Sequence, residues 1–189
     1  MSTMDTKTAL LAEAETLVRT VGYAAFSYAD LSERVGIRKA SIHHHFPTKE
    51  ALGNALIDSY LERFVGELAR LSERRLDTRG KLMAYGDFFA AGLKDGQMPL
   101  CGALAADAAD LPVSMQGRVA RGFRLHLDWL ERILRAGVTA GDVRADVKPD
   151  RAALHVLSAL QGASLVAWAL KDPSVIRPAL REVVDTLTP

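Results

Sequence analysis

Between Arg34 and Lys49 the chain carries four basic residues, Arg34, Arg38, Lys39 and Lys49, and no acidic one. Ser41 and the run His43, His44 and His45 stand in the same stretch. Ammonium and guanidinium groups neutralise phosphates, while serine and histidine can reach the edges of bases, so this set suits a nucleic-acid ligand. Imidazoles also titrate close to neutral pH, which would make such binding pH-sensitive. Three histidines together invite a metal reading, but neighbours on a helix point about 100° apart and do not converge on one ion. No metal is expected there. G-x-S-x-G, a phosphate loop, H-E-x-x-H and a usefully spaced acidic pair are all absent, so neither an enzyme nor a bound cofactor is expected.

Those residues need elements to present them. Leu10, Leu11, Ala14, Leu17, Val18 and Val21 recur at helical spacing over about 6–21, and Gly22 ends the run. Ser27 is a good N-cap, and Asp30 three residues later completes a capping-box pattern. Leu31 and Val35 give the short helix that follows its apolar side, and Gly36 stops it. A second short segment, KASIHHHF, is closed by Pro47. In it Ile42 and Phe46, four apart, share the buried side, and Ala40 is small enough for close packing near the turn. Lys39, Ser41, His43 and His44 are left to face outward. Two short helices joined by a tight turn, the second basic and polar, make a helix-turn-helix layout. Thr48 can cap a longer helix that turns Leu52, Ala55, Leu56, Tyr60, Phe64 and Leu68 inward as far as about Arg74.

The rest of the 189 residues read as further helices separated by breakers, at about 113–140, 150–170 and 174–187 among others, and no segment asks for a strand. Apolar residues form 49% of the chain, enough for a sizeable core, and the net charge of +1 gives no global basic field, so any polyanion site must be a local patch. No apolar run is expected to reach the roughly 20 residues that span a bilayer. The polar opening MSTMDTKTALLAEAE lacks a signal-peptide core, and one cysteine forms no internal disulfide, so a cytoplasmic location is expected.

The run FSYADLSERVGIRKASIHHHFPTKEAL resembles the N-terminal DNA-binding region of the tetracycline-repressor (TetR) family. Leu31, Val35-Gly36-Ile37, Ser41-Ile42, His45-Phe46 and Thr48-Lys49-Glu50-Ala51-Leu52 fall at the family's fixed offsets, whereas Arg38, Ala40 and His43 replace its usual Ser, Gly and Tyr. Losing Ser at position 38 leaves the second short helix without a good N-cap, although an arginine there could reach a phosphate. The resemblance implies an all-α protein of about nine helices. A three-helix helix-turn-helix domain over 1–50 would precede a C-terminal effector-binding and dimerisation domain over 51–189. It further implies DNA contacts from Ser27, Tyr28, Arg38, Lys39, Ser41, His43, His44 and Lys49, with Ser27, Tyr28 and Lys49 at backbone phosphates. His45 either joins them or packs inward. The implied function is a repressor that binds palindromic operator DNA as a homodimer and is released by a small-molecule effector.

The C-terminal two-thirds supports that reading less directly. The segment near 150–170 is rich in Ala, Leu, Val and Trp, with Ala159, Gly162, Ala163 and Ala167 allowing close approach. It is either a core helix or, with the helix near 113–140, a pairing surface for a second copy. Effector-lining candidates are Phe88, Phe89, Cys101, Leu104, Met115, His126, Trp129 and Trp168, an apolar and aromatic set that a plain core would equally use. His155 is a further polar candidate. Cys101, following Pro99 near a helix start, is either a reactive thiolate or a small buried apolar residue. The competing function is a helical small-molecule binding protein without specific DNA recognition.

Overall fold

The computed structural model describes residues 3–189, with side chains from Thr6 onward. Among these are nine α-helices and no strand: α1 (Thr3–Val21), α2 (Tyr28–Val35), α3 (Lys39–His45), α4 (Lys49–Glu73), α5 (Thr78–Lys94), α6 (Leu100–Ala106), α7 (Val113–Ala140), α8 (Pro149–Leu170) and α9 (Ile176–Leu187). Single 3-10 turns at Ala108–Asp110 and Pro173–Val175 precede α7 and α9. Packing divides the chain into two compact units, the first holding residues up to Glu62 with Leu100–Arg121, the second Arg63–Pro99 with Gly122–Pro189. Thus α6 and the start of α7 pack with the N-terminal helices.

In the first unit, α1 buries Leu10, Ala14, Leu17 and Val18, whereas Val21 is 54% exposed, because Gly22 at φ +93° turns the chain away there. The start of α2 is fixed by the expected box: Ser27 Oγ accepts from Ala29 N at 3.1 Å, and Asp30 accepts from Ser27 N at 2.7 Å. At its end, Gly36 adopts the left-handed φ of +72° and its N–H donates to Ser32 O at 2.9 Å. The capping penalty at α3 is equally visible, since Arg38 at its N-cap makes no side-chain cap bond. Between α4 and α7 the approach is close: a Cβ on Gly53 would lie 2.6 Å from Met115 Cε. Asp58 of α4 then binds Arg118 at 3.0 Å and also Arg121, and Asn54 donates to Ser114 at 3.0 Å.

In the second unit α5, α8 and α9 pack on one another. Gly86 of α5 lets Leu180 of α9 come within 2.4 Å of where a Cβ would sit, and Arg177 holds Asp87 through two contacts of 2.8 Å. One expectation needs correction. Helix α8, 22 residues long with an 18-residue stretch of mean hydropathy 1.5, is long and apolar enough to cross a membrane by length and composition. Packing accounts for it differently: Ala152, Ala153, Val156, Leu157, Leu160, Ala163 and Ala167 are buried within the unit. The apolar excess lies on its other side, where Leu154, Leu165, Val166, Trp168 and Leu170 are exposed.

Candidate nucleic-acid interface

Helix α3 is held by one side only. Ile42 is 0% exposed and Phe46, which caps the helix, 3%, so the opposite side is left to solvent. Arg38, Lys39, Ser41, His43 and His44 are all exposed, together with Ser27 at the start of α2. His45 lies next to the buried side and is half-buried, with its ring centroid 6.5 Å from that of Phe46. Ala40 does not pack near the turn as expected. It is exposed, because a residue two positions before buried Ile42 lies about 160° around the helix from it. Beside His44 it presents a bare methyl, which suits contact with a thymine methyl. Composition could not reveal this, since a small residue fits either side of a helix.

Tyr28 and Lys49 carry internal contacts. The Tyr28 hydroxyl donates to Phe46 O at 2.8 Å, and its ring meets His43 edge-on at 4.9 Å, tying α2 to the exit of α3. Burial, with a smaller effect of Tyr23, pushes that hydroxyl up to about 12. His43 in turn places Nδ1 3.3 Å from Pro47 O. A proton on Nδ1 donates there and leaves Nε2 outward, an acceptor when the ring is neutral and a donor when it is charged.

Lys49 Nζ donates to the carbonyls of Phe26 and Ala24 and sits 4.4 Å and 4.6 Å from the ring centres of Phe26 and Tyr23. Burial lowers its pKa, while Asp30 and Asp107 counter that. Asp107 also accepts from Tyr23 N at 2.8 Å, so the loop between α1 and α2 is held from two directions. Sequence reasoning missed this cage, because Tyr23, Phe26, Lys49 and Asp107 are brought together only by folding.

The eight effector candidates do not form one set. In the second unit Tyr85 joins Phe88, Phe89, His126 and Trp129, with ring centres 6.5, 5.4, 5.9 and 5.1 Å away. Burial drives His126 down to about 4, so the ring is neutral. Tyr85 Oη and His126 Nδ1 share a hydrogen bond of 2.6 Å. Trp129 Nε1 donates to Ser72 Oγ at 2.9 Å and Leu68 O at 3.2 Å. Cys101, Leu104 and Met115 are buried in the first unit, while Trp168 and His155 are exposed on α8. Burial pushes the Cys101 thiol up to about 12, the neutral and inert form.

Comparison with known proteins agrees with this geometry. The family described as "Bacterial regulatory proteins, tetR family" matches residues 10–56, and "Tetracyclin repressor-like, C-terminal domain" matches residues 80–183. A TetR-family transcriptional regulator from Agrobacterium tumefaciens superposes with a TM-score of 0.94 at 31% identity over 100% of both chains. A TetR transcriptional regulator from Legionella pneumophila gives a TM-score of 0.85 at 28% identity over 95% of this chain and 96% of the other. By sequence, the HTH-type transcriptional repressor DhaR of Mycobacterium sp. (strain GP1) is 24% identical over 89% of this chain and 85% of its own length.

Proposed function

The chain belongs to the tetR family of bacterial regulatory proteins, a family of transcriptional regulators and not of enzymes, and we propose that it is a ligand-responsive repressor acting as a homodimer on palindromic operator DNA. DNA binding belongs to the N-terminal helices. The observation that carries the reading is α3, anchored by Ile42 and Phe46 while Arg38, Lys39, Ser41, His43 and His44 face solvent. A helix so held enters a major groove, with Ser27 meeting a phosphate at the start of α2. Tyr28 donates its hydroxyl proton to Phe46 O, whereas Lys49 keeps a third N–H beyond those given to Phe26 and Ala24. We therefore assign Tyr28 chiefly to holding the reading head in shape and Lys49 to holding it while meeting a phosphate. Residues 1–50 are the reading domain and 51–189 the effector and pairing domain.

The pairing surface is proposed on α7 and α8. Exposed Leu154, Leu165, Val166 and Leu170 support it on α8, with Ser158 and Gly162 between them. Gln161 supports it too: its amide nitrogen is buried without an acceptor in the subunit, and a second copy could supply one. Helix α7 contributes charged Arg124, Asp128 and Arg132. The effector is assigned to Phe88, Phe89, His126 and Trp129, and the protein to the cytoplasm. Effector binding favours a dimer whose two heads no longer match successive major grooves, and DNA is released by that difference in affinity. A mobility shift on a palindromic fragment of the protein's own promoter tests this. The expected result is a complex with two subunits per fragment that outcompetes unrelated DNA at moderate salt. Equal affinity for both fragments points instead to a helical small-molecule binding protein without DNA recognition.

A further inference from the structure

The C-terminal ends of α5 and α8, with the turn that follows α8, frame a groove of about 430 Å³ in the second unit. Its lining includes Leu93, Lys94, Ala167, Trp168, Lys171 and Pro173. The volume lies within the range of small-molecule sites. Leu93 and Ala167 are buried and form an apolar floor, and the Trp168 indole, 47% exposed, offers an open ring face. Two lysines, Lys94 and Lys171, are among its lining residues, and no aspartate or glutamate is. Asp95 and Asp172, next to the lysines in sequence, lie outside the lining, and Asp172 is occupied by Ser174 N at 2.9 Å.

Lys171 adds a separate observation. It caps α8 at φ +54°, the one positive φ at a non-glycine among the described residues. Glycine takes that cap position at least cost, so the backbone gives no reason for a lysine. What the lysine supplies is its side chain, and Lys171 is one of the residues that line the groove.

We infer that this groove binds a small amphipathic organic anion, its apolar body against Leu93, Ala167 and Trp168 and its carboxylate between Lys94 and Lys171. An uncharged body of the same shape would gain the apolar contact alone. The site needs no DNA, but Trp168 shares the exposed side of α8 with Leu154 and Leu165, so it requires that the pairing proposed on α8 leave the C-terminal end of the helix open.

Titration of the full-length protein with 4-phenylbutyrate, followed by tryptophan fluorescence and calorimetry, tests it against the matched alcohol 4-phenylbutan-1-ol. The carboxylate is expected to bind and to perturb Trp168, and to weaken as salt rises. Lys94→Gln and Lys171→Gly should each weaken it about two- to fivefold, as partly exposed charge pairs do, with no effect on the alcohol. Trp168→Ala should abolish binding of both. Thermal melts establish that each variant is folded, and Lys171→Gly fits the left-handed cap without strain. Equal affinity for acid and alcohol, unchanged binding in the two lysine variants, or no binding at millimolar 4-phenylbutyrate overturns the proposal. So does binding that falls as protein concentration rises, because a second copy of the chain would then be the occupant.

Discussion

His126 is a residue whose burial has a measurable consequence. Its folded-state pKa near 4 lies below the ordinary 6.5, so below about pH 6.5 the unfolded chain takes up a proton that the folded one refuses. Stability therefore falls as pH drops from 6.5 toward 4, by an amount of order 3 kcal/mol at the lower end. Urea unfolding across that range should show the slope, and His126→Phe should flatten it. A slope unchanged in the variant would place the effect elsewhere. Cys101, neutral and 2% exposed, should resist thiol reagents in the folded protein and react once urea unfolds it. Lys49 is held by two carbonyls and two ring faces, and Lys49→Ala should lower stability by about 1 kcal/mol, read from the urea midpoint.

At the scale of elements, α3 lacks a side-chain cap where Arg38 stands, and the proposed contact with DNA gives that arginine a use. Arg38→Ser would give it the side-chain cap it lacks, adding about 0.5–1 kcal/mol to stability. The same change removes a groove-facing cation, so DNA affinity should fall and the slope of binding against salt shrink by about 1. Increased stability with undiminished DNA affinity would show that Arg38 is not at a phosphate. The punctuation of these helices was readable from residues, because Ser27, Asp30, Gly36, Thr48 and Pro47 act within a turn of themselves. So was the exposed side of α3, since Ile42 and Phe46 fix the rotation of the helix by spacing alone. Ala40 was not, as a methyl group carries no preference for inside or outside. The cage around Lys49 and the Tyr85–His126 pair were not either, for their partners stand 23 and 41 residues away. Cys101, Leu104 and Met115 looked like neighbours of Phe88 and Trp129 by composition, yet α6 packs with the N-terminal helices.

For the whole molecule, the proposed palindromic operator would require two reading heads, because half-sites about 34 Å apart cannot both be met by one α3. If α8 joins the copies, Leu165→Glu places a charge in its exposed apolar surface, 56% exposed in the single chain. The variant should sediment as a monomer, keep its helical content, and lose operator affinity far more than it loses stability. A dimer that survives the change would move the interface elsewhere. The central claim is that this chain reads a symmetric DNA sequence through α3. Selection of bound sequences from a random duplex library, with an Ile42-intact, His44→Ala and Lys39→Ala control, tests it most directly. The expected product is an inverted repeat with half-site centres about 10 bp apart or a multiple of that, and a control that returns no such repeat. A library that stays random with the unmodified protein, or yields the same repeat with the control, would contradict it.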